Sequence, residues 1–457
     1  MRALLAPTAG LIALTLAACA TGSGPTPQNT PTATPTATAT YPNDTIGQAM
    51  QWFVGQMSTD KTDSNLAQRL SSEFTKHISP QQLLVFFGEL RPQGPWITDN
   101  TTTNGNNGTA TLMNKYGQRF TLTMHVDDNG KIAGALVDSA PKGSPATTWN
   151  DVTKRAQLGI KDVSILAANI DDNDKLTDVH AHDADTPRPV ASASKLYILA
   201  AIAEKIADEE LSWDQELTLT EEDKTLPSGT LQNSAAGTRI SVLDAATAMI
   251  ATSDNTATDL LYRTVGEEAI LTAAKNASND HLEGITPFLT PKQMFWLAYG
   301  PSEEAKKARS SWKSSSPQQR RELLKNLPMP GPGPQIPNNA TTAQWPNDIE
   351  WFVSARDLAD VHLHLQKLAD SPTGKPLTHI LTKNAGIKTP AWASTAFKGG
   401  SNTGVLSFSF AATTAKKSRQ ILIVTGRSTE PVDQNTVIAA TTDAANLLAT
   451  KHDPAKE

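Results

Sequence analysis

The sequence has a single cysteine, Cys19, among 457 residues. One thiol cannot form an intramolecular disulfide, so the fold of this chain cannot depend on a covalent cross-link. Charge is also modest, because the formal net charge is −6 at pH 7 and charged residues make up 19% of the chain. Such a mildly acidic chain is not expected to bind nucleic acid. After residue 19, no apolar run is long enough to cross a membrane.

The N-terminus has the pattern of an export signal. Arg2 precedes an apolar stretch, and Leu16-Ala17-Ala18-Cys19 follows; the whole is too short for a permanent transmembrane helix. This ending resembles the bacterial lipobox, in which cleavage leaves the cysteine to carry lipid. We therefore predict a lipoprotein signal peptide over residues 1–19 and an extracytoplasmic protein that the lipidated Cys19 anchors to the cell membrane. An ordinary secretory signal with an incidental cysteine is the alternative.

Composition divides the remaining chain into four segments. Residues 20–42 are almost entirely Thr, Pro and Ala, which predicts a disordered tether. We predict a small α+β domain over residues 43–140, a linker over residues 141–148 and a larger domain over residues 149–457.

The small domain shows helical patterns first and strand patterns afterwards. Asp44 is a plausible helix cap, a second helix is predicted over Ser79–Leu90, and alternating residues predict strands over Phe120–Val126 and Ile132–Val137. Asn129-Gly130 between these strands is typical of a hairpin turn. Helices followed by a β-meander resemble the nuclear-transport-factor-like (NTF2-like) or ketosteroid-isomerase-like fold. We find no acid–base pair here, so a structural or binding role is the default.

The larger domain carries strand patterns at both ends and helices between them. Strands are predicted over Val163–Ile170 and Leu176–His182 near its start, and over Val405–Ala411 and Gln420–Gly426 near its end. This order favours one antiparallel sheet, assembled from distant segments and flanked by helices.

Ser192-Ala193-Ser194-Lys195 stands at the head of an apolar run that predicts a buried helix. Residues three apart share a helix face, so the Ser192 hydroxyl and the Lys195 amine can meet. A serine becomes a useful nucleophile when a base takes its proton, and a lysine can be that base when burial or a nearby cation lowers its pKa. The motif alone is weak, because a serine that begins a helix is more often a cap.

Two further motifs follow in the same domain. Ser253-Asp254-Asn255 lies between two predicted helices, where it could present a hydroxyl and an amide to a cleft or simply cap a helix. Lys398-Gly399-Gly400-Ser401 precedes a predicted strand. Its glycines would let a ligand lie against the strand edge, although a surface turn is the alternative.

The three motifs together resemble, in order, those of the class A β-lactamases and penicillin-binding proteins. This resemblance implies a class A β-lactamase-like fold and acylation of Ser192 by a small-molecule substrate. Lys195 would take the proton of Ser192, directly or through a water, and Ser253 would relay a proton to the leaving group. Lys398 would keep the local potential positive. The resemblance also implies substrate-binding positions, which are Asn255, Gly399, Gly400 and Ser401. Neither a cofactor nor a metal is expected.

Three departures from class A leave the turnover step open. The Glu-x-x-Leu-Asn loop, whose glutamate frees the acylated serine in that class, is not found between the second and third motifs; Glu283 and Glu350 are the candidates for a substitute. A charged and then Pro-Gly-rich insertion over residues 301–346 takes the place of that loop, and it lengthens the gap from Ser253 to Lys398 to 145 residues. In addition, Gly399 replaces a residue that often carries a hydroxyl.

An isomerase-like domain before a lactamase-like one resembles a narrower group. It includes the cephalosporin esterase of the clavulanic-acid gene cluster and actinobacterial lipoproteins, and its esterase likewise lacks the glutamate loop. The sequence therefore predicts a lipid-anchored serine hydrolase of β-lactams or esters. A peptidase acting on cell-wall peptides and a binder or sensor without turnover are the alternatives.

Overall fold

The computed structural model describes residues 40–59, 63–334, 342–387 and 389–450. The predicted signal peptide, Cys19 and most of the predicted tether lie outside these residues. Contacts divide the chain into two compact units, with the boundary between Pro141 and Lys142. No helix among the described residues combines the length and the apolarity that a membrane crossing requires.

The first unit has three helices followed by a four-stranded antiparallel sheet in the order β1-β2-β3-β4. Its elements are α1 (Thr45–Ser58), α2 (Ser72–His77), α3 (Pro80–Leu90), β1 (Ile97–Asn104), β2 (Asn107–Met113), β3 (Arg119–Val126) and β4 (Ile132–Ser139). This is the predicted α+β arrangement, while the resemblance to isomerases stays a prediction. The sequence analysis did not identify β1 and β2, since β1 in particular is rich in Thr and Asn.

Local capping and an aromatic core explain the helices of this unit. The Asp44 carboxylate accepts a hydrogen bond from the Gly47 N–H at 2.7 Å, which satisfies one of the free donors at the start of α1. Ser79 and Gln82 form a reciprocal capping box at the start of α3. The two helices then pack through Phe53 and Phe87, whose rings lie 4.9 Å apart.

The second unit is built on a five-stranded antiparallel sheet in the order β11-β12-β13-β5-β6, as predicted from strand patterns at the two ends of the domain. Its strands are β5 (Asp162–Ile170), β6 (Leu176–His182), β7 (Arg188–Pro189), β8 (Glu216–Thr218), β9 (Arg239–Ser241), β10 (Phe352–Val353), β11 (Ser394–Asn402), β12 (Val405–Thr413) and β13 (Arg419–Arg427). Its helices are α4 (Trp149–Gly159), α5 (Lys195–Ala207), α6 (Val242–Ala251), α7 (Asn255–Val265), α8 (Glu267–Asn276), α9 (Pro291–Tyr299), α10 (Glu303–Trp312), α11 (Pro317–Lys325), α12 (Ala355–Ala369), α13 (Pro376–Thr382) and α14 (Gln434–Thr450).

Both faces of this sheet are buried, because helices pack on each side and side chains alternate between the two faces along each strand. On β13, Ile421 and Ile423 pack into the core that surrounds α5. Leu422 and Val424, which alternate with these two residues along β13, pack into a second core with α4 and α14. Helix α5 is therefore enclosed by protein, and the residues at its start are held in a rigid setting.

The predicted insertion contains α10 and α11, which pack onto the unit through Trp312. This side chain is 1% exposed, its Nε1 donates to the Asp348 carbonyl at 2.9 Å, and the Arg320 guanidinium lies over its ring. Residues 335–341 of the insertion are outside the described residues.

Candidate active site

Ser192 lies in a short 3-10 helix, Ala191–Ser194, that leads directly into α5. The preceding strand β7 pairs with β10, and the Val190 N–H donates to the Trp351 carbonyl at 2.9 Å. Ala191 has a φ of 47°, an uncommon conformation for a residue with a side chain. The Ser192 side chain is half-buried while its neighbours in this turn are buried, so it is the hydroxyl of the motif with access to a ligand.

The Ser253 loop joins α6 to α7 and is fixed mainly by Asp254. One carboxylate oxygen of Asp254 caps α7 through the Ala257 N–H, and the other accepts hydrogen bonds from the N–H groups of Thr230 and Leu231 at 2.7 and 2.9 Å. Ser253 has a φ of 56°. The cap that the sequence offered as an alternative is therefore present, but it comes from Asp254 and leaves the Ser253 hydroxyl for other contacts.

The glycines after Lys398 allow β11 to approach the Ser192 turn closely. A Cβ atom at Gly400 would lie 2.1 Å from the Val190 carbonyl oxygen and 2.9 Å from the Ser192 nitrogen. Only glycine fits there without a shift of the backbone. Ser401 is exposed beside it. A Cβ at Gly399 would instead meet the Phe397 ring.

The two predicted lysines converge on one hydroxyl. Lys195 Nζ lies 3.2 Å and Lys398 Nζ 3.0 Å from Ser253 Oγ. Lys195 Nζ also donates to the Ser253 carbonyl at 2.7 Å and to Asn255 Oδ1 at 2.8 Å. The three motifs therefore meet, although residues 195 and 398 are far apart along the chain.

The direct contact between Ser192 and Lys195 that their spacing allows is not formed among the described residues. The Lys195 amine turns instead toward Ser253 and Asn255. Ser192 lies in a 3-10 turn that precedes α5, in which residues three apart still share a face, so the direction of the Lys195 side chain, not the spacing, leaves this contact unformed. Asn255 is also occupied inside the protein, since its Nδ2 donates to the Leu226 carbonyl at 3.2 Å.

Burial weakens the positive charge of both lysines, each of which is 2% exposed. Burial and the neighbouring Lys398 charge hold the pKa of Lys195 well below its usual value. Burial alone lowers the pKa of Lys398 to about 7. A lowered pKa favours the uncharged amine, which has a free electron pair, so Lys195 is suited to accept a proton from a serine hydroxyl.

Comparison with known proteins identifies the family of this chain. The model of the beta-lactamase enzyme family matches residues 147–383, which is more than half of the 457 residues. The chain belongs to this family. Residues 41–132 separately match a model described as the N-terminal part of an ORF 12 gene product. A search of curated proteins finds no match.

Solved structures are similar to about two thirds of this beta-lactamase family member. A beta-lactamase from Sphaerobacter thermophilus is 17% identical over 66% of this chain and 96% of its own, with a TM-score of 0.45. The penicillin-binding protein PBP-A is 16% identical over 68% and 99%, with a TM-score of 0.43. The extended-spectrum beta-lactamase TLA-1 is 15% identical over 66% and 97%, with a TM-score of 0.46.

The two glutamates proposed as substitutes for the missing loop differ sharply in setting. Glu283 is exposed. Glu350 is 4% exposed, and its carboxylate accepts hydrogen bonds from Asn402 Nδ2 at 2.7 Å and from the Trp351 N–H at 3.3 Å. Burial raises the pKa of Glu350 to about 7. Of the two, Glu350 is the carboxyl built into this family member's site region.

Sequence reasoning missed a second buried acid, Asp259, which lies on α7 one turn after Asn255. Burial raises its pKa to about 7, and the hydroxyls of Thr290 and Thr225 only partly oppose this shift. Its Oδ2 has no hydrogen-bond partner within the described residues. The only sequence signal was its spacing from the second motif, since a charged residue four positions after Asn255 lies on the same face of a helix.

Proposed function

We propose that this chain is a serine hydrolase that forms an acyl-enzyme on Ser192 with a β-lactam or an ester. The observation that carries the proposal is the single hydroxyl, Ser253 Oγ, shared between the buried amines of Lys195 and Lys398. Two amines with lowered pKa at one hydroxyl form a proton-transfer chain beside the accessible Ser192. A structural lysine would more commonly be exposed or paired with a carboxylate.

In this proposal each residue has one role. Ser192 attacks the carbonyl carbon, and Lys195 takes its proton directly or through a water. Ser253 passes a proton to the leaving group, and Lys398 keeps the potential positive at pH values below its pKa. The backbone N–H groups of Ser192 and Ser401 would bind the oxyanion, and such donors commonly contribute about 3 kcal/mol each to transition-state stabilisation. Asn255 would contact a substrate amide.

Localisation is part of the same proposal. The export signal and Cys19 support a lipid-anchored protein on the outer side of the cell membrane. Metabolic labelling of the expressed full chain with a fatty-acid probe tests this. Label on the wild type and none on Cys19→Ser would support the anchor, and equal or absent label would count against it.

A covalent sensor without turnover is the second candidate, because the Glu-x-x-Leu-Asn loop is missing from the sequence. An acylated serine that no base helps to free persists as a stoichiometric adduct. The two candidates share the acylation step and differ in the fate of the adduct.

The experiment is incubation of the full chain with a fluorescent penicillin and, separately, with p-nitrophenyl acetate, followed by mass spectrometry of peptides. An adduct on Ser192 that is lost in Ser192→Ala and kept in Ser310→Ala, an exposed serine on α10, supports acylation. No adduct on the wild type, or an equal one on Ser192→Ala, would refute it. A burst followed by steady product release indicates a hydrolase, whereas a burst alone indicates the sensor.

A further inference from the structure

Glu350 is a buried carboxyl that is held by amide groups. Its Oε1 faces Asn402 Nδ2 and its Oε2 faces the Trp351 N–H. No salt bridge joins it to a lysine, arginine or histidine in the part of the chain that the structure describes. A buried acid without a cation lowers stability unless its hydrogen bonds are well placed. The presence of Glu350 at this position therefore needs a structural explanation.

The first explanation is the link between the Glu350 segment and the segment that carries Ser192. Trp351, the residue after Glu350, accepts a hydrogen bond from the Val190 N–H at 2.9 Å. Phe352 pairs with Pro189 in the β10–β7 ladder. The Ala191 N–H lies beside the Glu350 carboxyl and favours its charged form, without the geometry of a full hydrogen bond. The segment of Glu350 is therefore the backbone support of the turn that carries Ser192.

The second explanation lies on the β11 side. Asn402 directly follows Ser401 and ends β11, and its side chain links that end to Glu350 at 2.7 Å. Its Oδ1 accepts the Thr403 N–H at 2.8 Å, so both ends of the amide are used. The approach of Gly400 to the Ser192 nitrogen leaves little freedom between the two segments.

We propose that Glu350 is a positioning residue, which with Asn402 sets the separation of the Ser192 and Ser401 backbone N–H groups. These are the two donors that the proposed function assigns to the oxyanion, and the inference rests on that function. Glu350 then acts on both acylation and deacylation, because the same oxyanion site serves both steps. A general base for deacylation would act on the second step alone.

Two variants distinguish the effect of the Glu350 carboxylate itself from the effect of the hydrogen bond between positions 350 and 402. In Glu350→Gln, an NH₂ group replaces one of two acceptor oxygens, so a donor must face either Asn402 Nδ2 or the Trp351 N–H. In the double variant Glu350→Gln/Asn402→Asp, the new amide can donate to the new carboxylate, while its oxygen still accepts from Trp351. The hydrogen bond between the two positions is kept with its direction reversed.

The experiment measures the acylation rate, the deacylation rate and the non-covalent dissociation constant with the probe that acylates the wild type. For Glu350→Gln we expect both rates to fall about tenfold to a hundredfold, as for a misplacement of about 1 Å, with less than about a threefold change in the dissociation constant. The double variant should recover most of both rates. Glu304→Gln, which changes an exposed glutamate on α10, should behave as the wild type.

Each other outcome counts against the inference. If wild type forms no adduct, the proposed function fails and the inference fails with it. If wild type reacts and Glu350→Gln has the same rates, only the inference fails. Normal acylation with a persistent adduct would make Glu350 the deacylating base instead. Should Glu350→Gln fail to fold, Asn402→Ala, which keeps the carboxyl but removes the link, decides; unchanged rates in that variant would refute the inference.

Discussion

Asp259→Asn should change how the stability of this protein depends on pH. Asp259 is 7% exposed, and its Oδ2 has no hydrogen-bond partner within the described residues. Asparagine has nearly the same shape and carries no charge at any pH. The substitution therefore removes a buried titrating group and leaves the packing of α7 close to unchanged.

The direction in which stability changes with pH follows from the protonation state of Asp259 in the folded and in the unfolded chain. Burial raises the pKa of Asp259 from 3.8 to about 7, so between these pH values the unfolded chain has released a proton that the folded chain still holds. Stability contributed by this group is therefore present in acid and is lost as the pH rises through this window. At about 1.4 kcal/mol per pKa unit, the loss between pH 5 and pH 8 is roughly 2.5 kcal/mol.

Urea unfolding of the full chain at pH 5 and pH 8, followed by tryptophan fluorescence, measures this difference. The free energy of unfolding of Asp259→Asn, relative to wild type, should be about 2 to 3 kcal/mol more favourable at pH 8 than at pH 5. Asp172→Asn, which changes an exposed aspartate in a turn, should show no such pH dependence. A relative stability that is the same at both pH values, or that falls at pH 8, would refute the reasoning.

Three further outcomes are expected. Burial lowers the pKa of Lys398 to about 7, so the acylation rate should decline above pH 7 as Lys398 loses its charge. Lys398→Arg, which keeps the charge, should remove that decline. A pH–rate profile in which the variant declines equally would contradict the proposed role of the Lys398 charge. Gly400→Ala should abolish acylation and lower the melting temperature, because the added Cβ would overlap the Val190 carbonyl. The control is Gly55→Ala, at an open and exposed helical position, which should instead raise the free energy of unfolding by about 0.5–1 kcal/mol. Ser253→Ala should slow acylation about a hundredfold in stopped-flow measurements, and an unchanged rate would remove Ser253 from the proton path.

The sequence predicted the elements that local patterns determine. Leu176–His182 is a strand with the predicted bounds, because it follows a turn, Asp172-Asn173-Asp174, that the composition marks. The meeting of Ser253 and Lys398 was also expected, on the strength of a family resemblance between short motifs. The domain bounds, the lipid anchor and the catalytic roles of the motif residues stay predictions.

Contacts that depend on the path of a loop were beyond the sequence. The spacing of Ser192 and Lys195 places both on one face, whether the turn before α5 is α-helical or 3-10, but it does not determine which partner the Lys195 amine takes. The Lys195 amine then finds the Ser253 carbonyl, which is exposed to it by the positive φ of that residue. That φ cannot be derived from residue preferences, because a positive φ is uncommon for serine.

The burial of acidic side chains was the least predictable feature, and in the proposed function it bears on turnover. A glutamate motif such as Glu-x-x-Leu-Asn can be found by its neighbours along the chain. Glu350 has no such motif, because its partner Asn402 is 52 residues away and its proposed effect on Ser192 would pass through the backbone of Trp351. The burial that raises its pKa is supplied by surrounding protein rather than by adjacent residues. A lactamase-like chain that lacks the loop motif can therefore still place a buried carboxyl beside the turn that carries the proposed nucleophile. Whether that carboxyl positions donors or activates water is decided by which of the two chemical steps its loss slows.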